Sequence, residues 1–284
     1  MKIALAYIHY PVSTGRYLKN AFGYLGGHEI VSIGPGTKGF IPWLPKVDFS
    51  RYQDTPSYEF WPEGYYPDVL IQVDAAFALT GDFPFPNYCY AVDNHVRPYK
   101  DRDYDMFFGA HSWGEKGNKP ETFQWLPCAY DVIHHYNMHV ERQVDAMLVG
   151  VPYPNRIELL QGMMQVTKKV VGAVGFMYED YNQAYNESKV ALVEPANNDL
   201  AERVFENMAQ GCCVLARHVP DMDKIGLEDG NQLLVFHSID EAKEKLAWAL
   251  SHETERLEIA KCGEEWVKNH SWNERAKVIL GNLK

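Results

Sequence analysis

The chain lacks several features that mark common functional classes. No run of about 18 apolar residues occurs, so the sequence predicts no membrane-spanning helix. No GxGxxG motif follows the first strand-like run, and neither a GxxxxGK[ST] loop nor a GxSxG elbow is present. The chain therefore lacks the usual sequence signatures of a dinucleotide-binding first domain, of a P-loop protein and of an α/β-hydrolase.

Positive charge and cysteine are also scarce. Lysine and arginine total 27 against 38 aspartates and glutamates, which gives a formal net charge of -11. A broad nonspecific grip on nucleic acid needs several cations on one face, so this balance argues against it and leaves only a local basic patch. The five cysteines include no CxxC pair, and we expect buried reduced thiols: Cys89, Cys128, Cys212, Cys213 and Cys262.

The first residues bear on location. "MKIALAYIHYPVSTG" has an apolar core too short for a signal peptide. Together with reduced cysteines, this predicts a cytoplasmic protein.

Strand-like and helix-like stretches alternate through both halves of the chain. Short apolar runs bounded by turn residues include "KIALAYI", "DVLIQVD" and "NYCYAVD", and later "VDAMLVG" and "KVALVEP". The alternation predicts an α/β fold of two doubly wound, Rossmann-like domains facing a cleft, with ligands beyond the carboxyl ends of the strands. Residues 34–66, rich in Gly, Pro and aromatics, predict a long irregular excursion. The polar stretch "DVIHHYNMHVERQ" puts the domain boundary between residues 142 and 143.

The segment "NNDLAERVFENMAQGCCVLA", residues 197–216, predicts an amphipathic helix that packs on one side only. Asp199 is the expected N-cap, with Glu202 completing a capping box, and Gly211 is the stop. The polar half of the helical wheel contains Glu202, Arg203, Glu206, Asn207 and Gln210.

Arg203 is the unusual residue of this helix, because it lies about one turn from the start, where the helix dipole disfavours a cation. Two explanations stay open at this point. Arg203 either pairs with Glu206 at i, i+3 on a solvated face, or it helps a helix N-terminus to bind phosphate.

Residues 203–272 run from "RVFENMAQGCCVLARHVPDMD" to "EEWVKNHSW". This ordered series of an Arg, a Glu three residues later, a Gly, two strands and closing helices resembles the GT-B glycosyltransferases, and among them the CgeB-like group and the group 1 type C-terminal domain. "WLPCAYD" and "MLVGVPYPNR" are also similar to family segments. The resemblance implies an N-terminal acceptor-side domain at 1–142, a donor-binding domain at 143–270, and a closing helix at 271–284 that packs back on the first.

The resemblance also implies roles for individual residues. Glu206 matches the glutamate that holds the ribose hydroxyls of a nucleotide-sugar donor. Arg203, with the backbone around Asn198 and Asp199, lies where the donor diphosphate binds. Many retaining members have a second glutamate where this chain has Asn198, which leaves the contacts to the sugar and the stereochemical course open.

Two further donor contacts follow from the resemblance, each with an alternative. Tyr178 follows a strand where the nucleobase lies and either stacks on uracil or is an ordinary core or surface tyrosine. Arg156 either reaches phosphate or is an exposed surface arginine.

In the first domain, the turn after "NYCYAVD" contains the candidate catalytic residues. Asp93 and His95 lie two residues apart at the carboxyl end of a strand, and either could serve as the base that deprotonates an acceptor. Asp93 is otherwise a turn-forming aspartate. Gly15, after the first strand, is a candidate close-approach point for the donor, while Ser13 and Thr14 are explained by helix capping.

We expect no metal. The sequence "DRD" at 101–103 matches an Asp-x-Asp metal motif of a different fold by three residues only, in a highly charged loop. His134, His135 and His139 have no cysteine or carboxylate at a recognisable ligand spacing.

The sequence therefore predicts a metal-independent glycosyltransferase that moves a sugar from a nucleotide-diphosphate sugar, expected to be a UDP-sugar, to an acceptor hydroxyl. The alternatives are a nucleotide-sugar epimerase or hydrolase of the same fold, or a binding protein without catalysis. The acceptor is open. It includes a hydroxymethylated DNA base, for which "HVRPYK" and "EKGNK" could form a basic rim.

Overall fold

The computed structural model describes residues 1–35, 58, 61–74, 79–97, 104–112 and 121–283. The motif at 101–103, the segment "EKGNK" and most of 34–66 lie outside the described residues. Contacts divide the chain into unit 1, Met1–Cys128 with Trp272–Lys284, and unit 2, Ala129–Ser271.

Unit 1 is built on a parallel sheet whose strands coincide with the predicted apolar runs. Its elements are β1 (Lys2–Ala6), α1 (Thr14–Leu25), β2 (Glu29–Ile33), β3 (Val69–Asp74), β4 (Asn87–Ala91), β5 (Met106–Gly109) and β6 (Phe123–Trp125). The six strands lie in the order β2-β1-β3-β4-β5-β6. The side chains at 3–6 of β1, 69–73 of β3 and 88–91 of β4 are buried, as expected for a sheet covered on both faces.

Unit 2 is built on a second parallel sheet, whose strands also alternate with helices along the chain. Its elements are β7 (Val144–Val149), α2 (Pro154–Val166), β8 (Val170–Ala173), α3 (Tyr178–Asn186), β9 (Ser188–Val193), α4 (Glu202–Ala209), β10 (Cys213–Arg217), α5 (Pro220–Ile225), β11 (Leu234–Phe236), α6 (Ile239–Ser251) and α7 (Glu253–Val267). The strand order is β11-β10-β9-β7-β8. The direction of winding reverses between β7 and β9, which is the place where doubly wound sheets bind ligands.

The last helix, α8 (Trp272–Gly281), belongs to unit 1. Trp272 is buried and meets Tyr90 edge-on, with ring centroids 5.4 Å apart. Arg275 is buried as well, and its Nε donates to the carbonyl oxygen of Pro127 at 2.8 Å. These contacts attach the end of the chain to β4 and to the segment after β6.

Two parallel sheets with helices between their strands confirm the predicted α/β class. Two details of the sequence analysis are wrong. The helix α5, short and begun by a proline, was not predicted, and α4 begins at Glu202 with Ala201 as its N-cap. Asp199 does not cap α4, because its Oδ1 accepts from the backbone N–H of Asn197 at 2.9 Å.

Among the described residues, every helix is too short or too polar to cross a lipid bilayer.

Candidate functional site

The strongest candidate site lies at the carboxyl ends of β7 and β9 in unit 2. Gly150 follows β7 directly and has φ +152, a backbone conformation that side chains disfavour. A β-carbon at this position would lie 2.9 Å from Nη2 of Arg203 and 3.1 Å from Nη1 of Arg156. The glycine therefore makes room for two guanidinium groups at the point where the winding of the sheet reverses.

Arg156 is not the exposed surface arginine that the sequence left as an alternative. Its side chain is buried, Nε donates to the carbonyl oxygen of Glu194 at 2.9 Å, and Nη1 donates to that of Val151 at 3.1 Å. Burial, and then repulsion by Arg203, lowers the pKa of Arg156 to about 10. A buried cation held by neutral carbonyls and repelled by a second cation has a charge that a bound anion would balance.

Arg203 is half-buried at the second position of α4, closer to the helix start than predicted. Its guanidinium forms no hydrogen bond or ion pair within the described part of the chain, so the predicted pair with Glu206 is absent. Burial alone would lower the pKa of Arg203, but Tyr181, Tyr185 and Glu206 raise it above its usual value. Arg203 is therefore a charged group without a direct partner, which supports an anion rather than a solvated pair.

Three of the five residues on the polar half of α4 are buried, contrary to the prediction that this helix packs on one side only. Glu206 is 7% exposed, and Asn207 and Gln210 are not exposed at all. The Nε2 atom of Gln210 donates to Oδ1 of Asn182 at 3.2 Å. The helical wheel failed because α3 covers this face, and the covering residues are far away in sequence.

The carboxylate of Glu206 is held in place within this buried face. The hydroxyl of Tyr181, on α3, donates to Oε2 at 2.6 Å. Burial raises the pKa of Glu206, while the hydrogen bond from Tyr181 and the charge of Arg203 act to lower it. A carboxylate can accept about four hydrogen bonds, so this one retains capacity for ligand hydroxyls.

His135 lies on the other oxygen of Glu206. Its Nδ1 accepts from the backbone N–H of Asp131 at 3.1 Å, so in the neutral ring the proton is on Nε2. That Nε2 lies 3.5 Å from Oε1 of Glu206, a long contact. Burial lowers the pKa of His135 to about 3, so the ring is neutral near pH 7.

The segment that positions His135 is fastened to α3 by amide side chains. The Oδ1 atoms of Asn182 and Asn186 accept from the backbone N–H groups of Tyr136 and Met138 at 3.2 and 2.6 Å. None of these residues was a candidate in the sequence, because the segment had only the composition of a polar linker.

Tyr178 begins α3 with φ +47, and its ring packs against His134 at a centroid distance of 4.3 Å. With 8% of its surface exposed, the ring is already largely covered. This position fits a core tyrosine, and stacking on a nucleobase stays a prediction.

Asn198 and Asp199 lie in the loop between β9 and α4. Asn198 is exposed and has φ +57, a left-handed conformation in which asparagine is favoured among residues with side chains. Asp199 is close enough to Arg156 to raise its pKa, so it offsets part of the positive charge at Gly150.

A buried ion pair that the sequence did not reveal lies at the same edge of the sheet. Glu194, directly after β9, is 4% exposed, and its Oε1 accepts from Nε of Arg217 at 2.6 Å. The Nδ2 atom of Asn155 lies 3.3 Å from the same oxygen. Because Arg217 is paired in this way, it is a weaker candidate for an anion ligand than Arg203.

In unit 1, Asp93 and His95 lie in the turn after β4. The side chain of Asp93 is 33% exposed, and its Oδ2 is 3.3 Å from Nε of Arg97. His95 is 3% exposed and meets His111 edge-on with ring centroids 4.0 Å apart. Asp93 is therefore the more accessible of the two candidate bases.

Gly15 is explained by packing within unit 1. A β-carbon there would lie 2.3 Å from Cγ of Tyr7, so the close approach is to that ring. Ser13 is the N-cap of α1, as its type suggests, and accepts from the N–H of Arg16.

Four of the cysteines are buried thiols, but Cys262 is exposed, contrary to expectation. The described residues contain no cluster of three or more metal-ligating side chains.

The comparisons with known proteins agree on the fold. The family described as glycosyl transferase-like matches residues 135–281, more than half of the chain. HepE from Anabaena, solved in complex with UDP and glucose, has a TM-score of 0.68 at 10% identity, covering 99% of each chain. AviGT4, a glycosyltransferase of avilamycin A biosynthesis, has 0.67 at 12% identity, covering 100% of this chain and 97% of its own.

A third solved structure is T4 phage BGT in complex with UDP and Mn²⁺, with a TM-score of 0.60 at 12% identity over 100% of this chain and 99% of its own. A sequence search of the curated proteins gives no significant match.

Proposed function

The chain belongs to the glycosyl transferase-like family and has the GT-B fold, and we propose that it transfers a sugar from a UDP-sugar to an acceptor hydroxyl. The observation that carries the donor assignment is the pair of guanidinium groups that lie next to Gly150. Nη2 of Arg203 and Nη1 of Arg156 lie 2.9 and 3.1 Å from the position that a β-carbon of Gly150 would take, and neither arginine forms an ion pair within the described part of the chain.

A diphosphate suits this position for three reasons. It supplies the negative charge that relieves the repulsion between Arg156 and Arg203. The planar fork of Arg203 can grip two phosphate oxygens at once. The N-terminus of α4 adds a favourable helix dipole.

The nucleoside follows from the position of Glu206. The two ribose hydroxyls donate to this carboxylate, which retains free lone pairs beside the Tyr181 bond. HepE and T4 phage BGT, both solved with UDP, support uracil as the base. The CgeB-like assignment stays a prediction.

For the chemical step, we assign Asp93 as the base that takes the proton of the acceptor hydroxyl as it attacks the anomeric carbon. The bond from that carbon to the diphosphate oxygen breaks, and UDP leaves with the electron pair. Arg156 and Arg203 stabilise its developing charge. Because two cations already serve this purpose, the proposed reaction needs no divalent metal, and EDTA should leave the rate unchanged.

Binding is tested by thermal stabilisation with a panel of UDP-, GDP- and TDP-sugars. We expect UDP-sugars to raise the melting temperature, and a panel in which no compound does so contradicts the donor assignment. Release of UDP is then followed with candidate acceptors, including small alcohols and hydroxymethylated DNA.

The same assays separate the alternatives. Product from the donor without an acceptor indicates an epimerase or a hydrolase. Donor binding without turnover on any acceptor indicates a binding protein that lacks catalysis.

A further inference from the structure

The carboxylate of Glu206 is surrounded by side chains from three parts of unit 2. Tyr181 and Tyr185 lie on α3, Arg203 lies on α4, and His135 lies on the segment before β7. Of these, Tyr181 makes the shortest contact, at 2.6 Å between its hydroxyl oxygen and Oε2.

We propose that Tyr181 is a positioning residue for donor binding: its hydroxyl fixes Oε2 of Glu206 and thereby presents the carboxylate to the ribose hydroxyls. This inference rests on the proposed function, because it concerns the same donor site. Tyr181 itself touches no donor in this scheme and acts only through Glu206.

The surroundings of Tyr181 indicate that its hydroxyl holds Glu206 and is not needed to hold the tyrosine ring in place. Tyr181 is 8% exposed and is held edge-on by two rings, with centroids 4.9 Å from Tyr185 and 5.7 Å from His135. The ring is therefore fixed by packing that does not need the hydroxyl. The hydroxyl adds one short hydrogen bond to an ionised group, which is among the stronger kinds.

The contact on the opposite oxygen is weaker. His135 Nε2 is 3.5 Å from Oε1, which is too long for a strong hydrogen bond. This oxygen therefore remains able to accept a hydrogen bond from a ligand. A ribose hydroxyl that donates to Oε1 has only this long contact to displace. At Oε2 the short hydrogen bond from Tyr181 is already formed. Loss of the Tyr181 bond frees the carboxylate to rotate away from the ribose.

Protonation gives the proposal a distinctive signature. Donor binding favours the ionised carboxylate, because protonation turns one of its oxygens into a donor and removes the negative charge that strengthens hydrogen bonds from the ribose hydroxyls. Burial raises the pKa of Glu206, and the Tyr181 hydrogen bond counteracts this rise. Without the hydroxyl the pKa of Glu206 goes higher, so the loss of affinity on acidification begins at a higher pH.

The experiment is Tyr181→Phe in the full chain, with UDP affinity measured by calorimetry from pH 5.5 to 8.5. We expect about a tenfold weaker affinity near pH 6.5, a smaller deficit at pH 8.5, and a pH profile displaced upward relative to the parent. The matched control is Tyr90→Phe, because the Tyr90 hydroxyl also makes one buried hydrogen bond, to the carbonyl oxygen of Leu126 at 2.9 Å. The control should leave both affinity and profile unchanged.

A second variant keeps the test decisive if Tyr181→Phe does not fold. Tyr181→Leu also removes the hydroxyl while leaving Glu206 intact, and it should show the same loss and the same upward displacement. A parent-like profile in the folded variants overturns the role of Tyr181. A parent protein that binds no nucleoside diphosphate at any pH overturns the proposed function itself.

Discussion

The carboxyl edges of the two sheets both carry charged and titratable residues, but these residues are engaged differently. In unit 2, Arg156 and Arg203 converge on Gly150, and Arg203 has no hydrogen bond or ion pair among the described residues. In unit 1, Asp93 is paired with Arg97 within its own turn, and His95 is covered by His111. The comparison supports an anion site in unit 2, whereas in unit 1 the proposed base Asp93 is a partly exposed carboxylate.

The largest effect expected from this division is on turnover. Asp93→Asn removes the proposed base and should lower kcat about 100- to 10,000-fold, because general base catalysis contributes factors of that size. UDP affinity should stay within about twofold of the parent, since the proposed donor contacts lie in unit 2. Single-turnover kinetics and calorimetry measure the two quantities separately.

The control for Asp93→Asn is Asp105→Asn, the same change at the opposite edge of the same sheet, where Oδ2 of Asp105 accepts from the N–H of Asn87. Equal loss of activity in both variants would indicate a general disturbance of unit 1. Unchanged kcat in Asp93→Asn would remove this residue from the mechanism and break the comparison.

The second effect concerns the unpaired cation. Arg203→Gln should weaken UDP affinity about 10- to 100-fold, because a hydrogen bond between charged groups contributes roughly 1.5–3 kcal/mol. The decrease should be smaller for UMP, which lacks the second phosphate. Arg203→Lys keeps the charge but loses the planar fork, so an intermediate affinity is expected. Parent-like affinity in Arg203→Gln would place the diphosphate elsewhere.

The third effect tests the glycine between the two arginines. In Gly150→Ala, the new β-carbon lies too close to both guanidinium groups. The backbone must also keep a φ of +152, which alanine disfavours. We expect about tenfold weaker UDP affinity and a free energy of unfolding lower by roughly 1–3 kcal/mol. Gly226→Ala provides the control for backbone strain, since it has φ +78 and nothing within 4 Å of the added carbon. If both variants lose the same stability and neither loses affinity, Gly150 serves the backbone only.

The same contrast explains how much the sequence could predict. Strands were predictable because a sheet covered on both faces needs short continuous apolar runs, and these are local features. The closing helix and the glycine stop of α4 were also local. The N-cap of α4 was wrong because Asp199 uses its carboxylate within its own loop, on the N–H of Asn197.

The burial of polar residues was not predictable in this way. Helical periodicity alone put Glu206 on a solvated face, yet its covering partner Tyr181 lies 25 positions earlier. Arg156 read equally well as a surface residue, and only the tertiary fold reveals the carbonyl groups that bury it. Helical periodicity describes one helix at a time, so it cannot detect a polar face that a second helix covers.

The smallest expected effect concerns Asn198. Asn198 is exposed with φ +57, so its role divides into a backbone part and a side-chain part. Asn198→Gly keeps the left-handed conformation and removes only the side chain. If the amide contacts the sugar, UDP-sugar affinity should fall about threefold, as for one modest hydrogen bond, while UDP affinity stays unchanged.

Asn198→Ala adds strain of about 1 kcal/mol, which thermal unfolding would detect. If Asn198→Gly binds UDP-sugar and UDP as tightly as the parent does, Asn198 serves only the backbone of the loop. The sugar contacts would then have to come from elsewhere in the chain.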